Sequence, residues 1–306
     1  MSSEAGMKSV RCPYCGATFQ VPATVQVAVC PYCGTTIWLN TGQVFKEHYM
    51  YPIRVEFNKA YDNVLGLAER QFAAPEDIRK AASPDAGRIH FVPLYLYHVK
   101  VRAECPGNPE AGLEEEWVSR LAVKNPIQGL SINYRFPTRG RRFFEPRTLE
   151  RGKYYQPDLD PKELLSEVTS RATLKALREA YNWCDEPKIV NESKWEGIVH
   201  YPFWEIRYSY NGRKYYALVD ATDGTVVYLE YPIGTKKRGY LLSAAAGLLL
   251  GGMVIGAGLG YAIGSTTAGL AGGAVSSLPG VYKFLSLGVS RVGRYVLGER
   301  FAREDS

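Results

Sequence analysis

The chain has 306 residues, of which 46% are hydrophobic and 22% charged, and its formal net charge is +6. This length predicts two or three structural units rather than one small module, and the apolar fraction is sufficient for a packed core. The charge is lower than that of most dedicated nucleic-acid-binding proteins.

Two CxxC pairs lie near the N-terminus, each with a proline after its first cysteine and a glycine after its second. A CxxC turn presents two thiolates together, and four thiolates form the tetrahedral shell that Zn²⁺ prefers. The glycines allow the backbone to turn beneath the sulfurs with φ above zero. The sequence therefore predicts one zinc ion bound by Cys12, Cys15, Cys30 and Cys33. Because all four ligands are protein atoms, we expect this zinc to be structural and not catalytic.

Residues 1–45 alternate as short strands around the cysteines, at Thr18–Val21, Val25–Val29 and Thr35–Leu39. This pattern predicts a zinc ribbon, which is too small to be stable without its metal. The first eleven residues are polar and lack the apolar run of a signal peptide, so we expect this region to stay in the cytoplasm with reduced thiols. The remaining cysteines, Cys105 and Cys184, are interpreted as two unrelated thiols; a disulfide is the alternative if the source is a hyperthermophile.

Residues 46–235 carry the signals of an α+β region. A strand is predicted at Tyr51–Phe57, followed by a helix capped by Asn58, whose apolar residues recur at helical spacing. Another short helix opens at Pro75, and Phe91–Val101 is a predicted buried strand. Asp160 and Pro161 start a long helix, with a capping side chain followed by proline in the first turn.

Three strands follow, at Ile198–Tyr210, Lys214–Asp220 and Thr225–Tyr231, separated by Asn-Gly and Asp-Gly turns. A helix on a small antiparallel sheet is the expected layer arrangement. The strand around Pro93 resembles the strand around Pro202, and each follows a helical stretch. We therefore expect this region to be an internal duplication.

Residues 236–290 are predicted to enter a membrane, because no charged residue occurs from Gly239 to Tyr282 and one spanning helix needs about 20 residues. Leu241–Ile263 is strongly apolar, whereas Ser265–Leu287 is weaker. The simplest geometry is a two-helix transmembrane hairpin; one span with the rest on the interface, or a soluble helical pair, are the alternatives. We expect close helix packing or self-association through glycines four residues apart, namely Gly252, Gly256, Gly260 and Gly264.

Basic residues flank this stretch on both sides, which places both flanks in the cytoplasm under the positive-inside rule. Residues 291–306 form a basic cytoplasmic tail. Valines and leucines from Val281 to Val296 recur at helical spacing, so the tail's start is expected to continue as a helix, either on the inner leaflet or against its own domain.

The CPYCG pairs resemble transcription-factor-type zinc ribbons, and residues Tyr215–Val226 resemble the closing hairpin of PepSY-type repeats. The C-terminus is similar to glycine-zipper membrane segments. The order of these parts resembles a group of bacterial and archaeal zinc-ribbon membrane proteins. The resemblance implies the architecture and no particular activity.

The stretch Arg135–Lys153 interleaves seven basic residues with aromatic ones. Three interpretations remain open: a charged loop whose aromatics are core, contact with anionic lipid, or nucleic-acid binding by stacking and phosphate contacts. The four histidines, His48, His90, His98 and His200, are scattered without metal-ligand spacing and are interpreted as structural. Glu114–Glu116 is interpreted as a solvated face.

The sequence shows no catalytic motif and no nucleotide-binding loop, so we expect no catalytic residues, no cofactor-binding residues and no enzymatic activity. The preferred hypothesis is a membrane-anchored cytoplasmic zinc-ribbon adaptor or scaffold. Its expected partners are the lipid bilayer and a protein bound through the ribbon. The alternative is a membrane-tethered nucleic-acid-binding protein that uses the ribbon and the Arg135–Lys153 stretch. An enzyme with an unrecognised site in the α+β region is a third class.

Overall fold

The computed structural model describes residues 6–23, 25, 27–45, 47–71, 73–124, 127–145, 150–262, 264–289 and 291–297. The chain divides into two compact units. The first comprises Met1–Glu56, Arg88–Glu205 and Asp220–Asp223, and the second comprises Phe57–Gly87, Ile206–Val219 and Gly224–Ser306.

The N-terminal part of the first unit consists of two small antiparallel sheets. Strand β1 (Met7–Arg11) pairs with β2 (Thr18–Pro22), and β3 (Val27–Val29) pairs with β4 (Thr36–Trp38), which also pairs with β5 (Val44–Phe45). The predicted strands are present, but β1 and β5 were not expected. Strand β1 is mostly polar and β5 has only two residues, so neither sequence carries a strand signal of its own, and pairing with β2 and β4 supplies it.

The body of the first unit contains a long antiparallel hairpin. Strand β7 (Ser83–Cys105) pairs with β8 (Asn108–Leu121), and the tight turn between them has Gly107 at φ +78°. Shorter strands complete this sheet: β6 (His48–Met50), β9 (Arg142–Phe143), β10 (Gly152–Tyr154), β11 (Lys188–Asn191) and the first part of β12 (Lys194–Tyr210).

Helix α3 (Pro161–Ala180) covers this hairpin with its alanine-rich face. Asp160 caps the helix by accepting a hydrogen bond from the backbone N–H of Lys162 at 2.8 Å, so the predicted start is confirmed. Small side chains are required on this face, because a β-carbon at Gly112 of β8 would collide with the backbone carbonyl of Ala176. The helix and hairpin enclose the main core of the unit.

The second unit contains a sheet in the order β12, β13 (Arg213–Asp220), β14 (Val226–Pro232) and β15 (Val292–Val296). Asn211 and Gly212 form the turn before β13 with φ values of +48° and +73°, as an Asn-Gly hairpin turn requires. Helices α1 (Phe57–Glu69) and α2 (Ile78–Ala81) belong to the same unit.

The two long helices exchange partners between the two halves of the chain. Helix α1 precedes the β7–β8 hairpin in sequence but packs against β14, whereas α3 precedes β12–β14 but packs against β8. Each helix therefore covers strands from the other half. This arrangement fits the expected duplication in element order, and the duplication itself stays a prediction.

The predicted strand at Tyr51–Phe57 is not formed. The backbone N–H groups of Arg54 and Val55 both bond to the carbonyl oxygen of Ala221, at 2.9 and 3.0 Å, which holds the segment in an irregular conformation. Helix α1 begins at Phe57, so Asn58 lies in its first turn and is not the cap.

The C-terminal part of the second unit contains two helices, α4 (Thr235–Ala262) and α5 (Thr266–Val289). Within the described residues, α4 alone is long and apolar enough to cross a membrane. The glycines, serines and threonines of α5 make this helix less hydrophobic. Length and composition therefore do not predict that α5 also crosses a membrane.

The helical interpretation of the tail is wrong at its start. Helix α5 ends at Val289, and Val292–Val296 forms the strand β15, which pairs antiparallel with β14 so that Gly293 lies opposite Tyr231. The open edge of β14 offers hydrogen bonds that an isolated helix turn would not gain, and this pairing outweighs the helical spacing. Residues 298–306 of the predicted tail lie outside the described residues.

Candidate metal centre

The two CPYCG turns have the same backbone geometry. The N–H of Gly16 donates to the carbonyl of Cys12, and that of Gly34 to the carbonyl of Cys30, each at 2.9 Å. Both glycines are left-handed, with φ values of +76° and +73°. The predicted role of glycine in these turns is therefore confirmed.

The four sulfur atoms fit a tetrahedral metal ion. The Sγ atom of Cys12 lies 3.7 Å from that of Cys33, and the Sγ atom of Cys15 lies 3.7 Å from that of Cys30. All four sulfurs lie within 4.8 Å of one another. A tetrahedral zinc ion with Zn–S bonds of about 2.3 Å needs sulfurs about 3.8 Å apart, and a disulfide would need about 2 Å. The cluster therefore has the spacing of a closed Cys₄ metal site.

The environment of the sulfurs differs around the cluster. Burial raises the pKa of the Cys30 thiol to about 12. Burial also acts on Cys33, but hydrogen bonds with Thr35, Cys15 and Cys30 together outweigh it and lower the pKa of this thiol to about 7. The Thr35 hydroxyl oxygen lies 3.1 Å from the Cys33 sulfur. Without metal the Cys30 and Cys33 thiols would ionise at different pH values, and a bound cation would ionise both.

Side chains from the body of the first unit hold the second CPYCG turn and its strands. The amide of Gln156 binds the backbone of Val29 twice, accepting from its N–H at 3.0 Å and donating to its carbonyl at 3.1 Å. The rings of Trp38 and Trp195 pack edge to face with centroids 5.1 Å apart. The ribbon therefore packs against the rest of the first unit and does not form a separate compact unit.

A buried histidine pair extends this attachment to the metal site. Nδ1 of His48 lies 2.9 Å from the carbonyl oxygen of Gly34, next to the ligand Cys33. Because a carbonyl can only accept, His48 donates from Nδ1, and its Nε2 accepts from Nδ1 of His200 at 2.9 Å. Burial lowers the pKa of His48 to about 4 and holds that of His200 well below its usual value. Both rings are therefore neutral at neutral pH.

The other two histidines also have structural partners. His90 lies 2.8 Å from the carboxylate of Glu205 and 2.7 Å from the hydroxyl of Tyr155, and His98 lies 3.0 Å from Glu115. No pattern in the sequence indicates the contact between His48 and His200, which are 152 residues apart. Among the described residues, the cysteine cluster is the one group of three or more Cys, His, Asp or Glu side chains placed to share a metal ion.

The tyrosine of each CPYCG turn faces solvent. The side chains of Tyr14 and Tyr32 are 78% and 65% exposed, whereas the first cysteine of each turn, Cys12 and Cys30, is buried. Exposed tyrosines on a rigid turn are the residue type that protein interfaces favour. The two turns therefore present aromatic contact groups away from the metal.

The aromatic residues of the Arg135–Lys153 stretch mostly pack into the first unit. Tyr134 donates to the buried carboxylate of Asp220 at 2.5 Å, and Phe144 stacks on the His48 ring at 4.0 Å between centroids. Phe136, Tyr154 and Tyr155 pack similarly, whereas Phe143 is 72% exposed. This favours the charged-loop interpretation over a stacking platform for bases. Arg147 lies outside the described residues.

Cys105 and Cys184 form a disulfide across 79 residues, which links the end of β7 to the segment after α3. The interpretation of these cysteines as two unrelated thiols is therefore wrong, and the alternative, a disulfide between them, is present. Spacing of 79 residues carries no pairing signal, and only the packing of α3 against the β7–β8 hairpin brings the two residues together.

No protein-family model, curated protein or solved structure matches this chain.

Proposed function

We propose that this protein is a membrane-anchored zinc-ribbon adaptor, with the ribbon as its partner-binding head and helices α4 and α5 as its anchor. The observation that carries the proposal is the apolar surface of α4. Large apolar side chains on this helix lie largely exposed, among them Leu250, Val254, Ile255 and Leu259, each between 62% and 71%. A surface this apolar and uncharged is favourable in lipid and unfavourable in water.

Two spans are proposed because α5 completes the glycine face of α4. Gly252, Gly256 and Gly260 of α4 approach the backbone of α5, while Gly264 lies in the turn between the helices with φ +79°. The Nε atom of Arg238, at the start of α4, donates to the carbonyl of Gly288, at the end of α5, at 2.9 Å. The same three glycines can serve self-association only if a second chain displaces α5.

The orientation follows from the flanking charges. Lys236, Lys237 and Arg238 precede the uncharged stretch, and Lys283, Arg291 and Arg294 follow it. Under the positive-inside rule, both ends of the helix pair face the cytoplasm. The closed Cys₄ shell assigns the metal a structural role in this proposal.

The anchor is tested by isolating membranes from cells that express the protein and extracting these membranes with alkaline carbonate. The wild-type chain is expected to remain in the membrane fraction. Val254→Arg places a charge near the middle of α4 and is expected to release much of the protein, since this costs about 2.5–3.5 kcal/mol at a helix centre. Val254→Leu is the matched control and stays inserted. Full extraction of the wild-type chain would contradict the proposal.

Topology is tested with one epitope tag at each end and protease added to sealed inverted vesicles, whose cytoplasmic face points outward. Both tags are expected to be digested. Protection of the C-terminal tag alone would indicate a single span and would contradict the hairpin.

The adaptor role is tested by cross-linking in intact membranes. Tyr14→Ala with Tyr32→Ala is expected to abolish the cross-linked species of the wild type while zinc content stays unchanged. Exposed Tyr181→Ala, on the C-cap of α3, is the control and retains them. A wild-type protein without any cross-linked species would contradict an adaptor.

A further inference from the structure

We propose that a basic cavity in the second unit binds the phosphate of an anionic lipid headgroup. The inference rests on the proposed membrane anchor and deepens it by assigning a ligand class. The cavity has a volume of about 660 Å³, which is within the range of small-molecule sites. Its lining comes from segments that are far apart in sequence.

Five basic side chains and two carboxylates line this cavity. The basic residues come from three places in the chain: Arg213 begins β13, Arg291 follows α5, and Lys236, Lys237 and Arg238 lie in the first turn of α4. The carboxylates belong to Glu76 and Asp77, so the lining has a formal charge of five minus two, or +3. An anion is the ligand that such a lining attracts.

One of the two acidic side chains has a neutral partner within the lining. Asp77 accepts a hydrogen bond from the hydroxyl of Tyr210 at 2.7 Å, so one of its oxygens already has a partner within the lining. Tyr210, Pro232 and Ile233 supply an apolar wall. A cavity lined by both cationic donors and apolar side chains suits a phosphodiester that carries a glycerol group.

Part of the basic lining is held in place. Arg238 is fixed through its bond to the carbonyl of Gly288, and the N–H of Gly234, just before α4, donates to the carbonyl of Ala73 at 2.9 Å. The positive end of the α4 helix dipole also lies at this end of the helix. These features add to the guanidinium and ammonium groups and do not replace them.

The position of the cavity along α4 favours a lipid over a soluble phosphate. The uncharged stretch begins at Gly239, directly after Arg238, so the basic lining ends within about one helical turn of the hydrocarbon region. Tyr240 is 70% exposed beside it, at the depth where tyrosines meet headgroups. Basic pockets at this depth bind acidic headgroups in other membrane proteins.

The experiment uses the full-length protein in neutral detergent, titrated with phosphatidylglycerol or phosphatidylcholine and monitored by native mass spectrometry. The wild type is expected to retain phosphatidylglycerol over phosphatidylcholine. Arg213→Gln with Arg291→Gln is expected to weaken phosphatidylglycerol binding by about tenfold. The control, Lys80→Gln with Lys214→Gln, removes the same charge from the same unit outside the cavity lining and leaves binding unchanged.

Three results would overturn the inference: no preference in the wild type, equal loss in both double variants, or displacement of the lipid by glycerol 1-phosphate at equal concentration. The last result would identify a soluble phosphate as the ligand. Alkaline extraction of the same variants separates this inference from the anchor. A chain that resists extraction but shows no lipid preference contradicts the cavity alone, whereas an extracted wild-type chain contradicts the anchor.

Discussion

Gly252 of α4 faces Gly273 of α5 so closely that a β-carbon on Gly252 would lie 2.6 Å from the carbonyl oxygen of Gly273. Gly251, its neighbour in sequence, has no atom within 4 Å of the same position. Adjacent glycines of one helix thus have opposite roles. Gly252 makes close packing of the helix pair feasible, whereas Gly251 faces away from α5.

This contrast predicts different effects of the same substitution at neighbouring positions. Gly252→Leu is expected to destabilise the helix pair by about 1–3 kcal/mol, because the added side chain overpacks the contact. Gly251→Leu is the matched control and is not expected to destabilise the pair, because its side chain meets no neighbouring atom and leucine has a higher helix propensity than glycine. Thermal unfolding in detergent, followed by circular dichroism, measures the difference. Equal effects at both positions would contradict the packing of α4 on α5.

Metal content is expected to depend on the four N-terminal cysteines and on no others. The purified protein should contain one zinc ion per chain by elemental mass spectrometry, and Cys33→Ser should lose most of it during dialysis against a chelator. Since structural zinc contributes about 10–16 kcal/mol to small zinc domains, the ribbon should unfold with the loss. The matched control replaces Cys105 and Cys184 by serine and is expected to keep its zinc. Zinc loss from the control would show that the metal depends on the disulfide.

The disulfide is expected to stabilise the first unit. Closing a loop of 79 residues restricts the unfolded chain, and its removal should cost about 4 kcal/mol in the chain-entropy model. Urea unfolding of the wild type and of Cys105→Ser with Cys184→Ser measures this cost. Intact mass with and without reductant, after alkylation, reports whether the bond is present. A reduced pair in protein purified without reductant would contradict this prediction.

Stability of the first unit is expected to fall between about pH 6.5 and pH 4. Burial lowers the pKa of His48 to about 4, so the folded protein binds fewer protons than the unfolded chain in this range. The neutral ring's contribution is complete above the unfolded pKa of about 6.5 and is lost as the pH falls toward 4. The loss is expected to reach about 3 kcal/mol, to which His200 adds in the same direction.

His48→Asn tests this assignment, because an asparagine amide can donate to the Gly34 carbonyl and does not titrate. The variant is expected to be less stable at pH 7.5 and to lose less stability on acidification. Both proteins carry the same cysteine site, so the difference between their unfolding curves isolates the imidazole. Parallel pH profiles would show that folding does not shift the pKa of His48.

The four N-terminal cysteines of the candidate metal site could be predicted from the sequence, but the residues that support them could not. Cys12 and Cys15 are joined by one turn, and the motif states the ligand, the spacing and the glycine that the turn needs. The supporting residues had no such signal. Gln156 binds Val29 from 127 residues away, and the sequence identifies neither as a contact of the ribbon.

Local features were therefore determined by the sequence by itself: the CPYCG turns, the cap at Asp160, the Asn211-Gly212 hairpin and the apolar stretch of α4. Each depends on neighbours within a few residues, where backbone geometry and side-chain chemistry act directly. Three features could not be predicted in this way and became evident from the packing of the chain: the Cys105–Cys184 bond, the strand at Val292–Val296 and the exchange of α1 and α3 between halves. These depend on contacts between distant segments, whose free energy is gained only when the chain is packed.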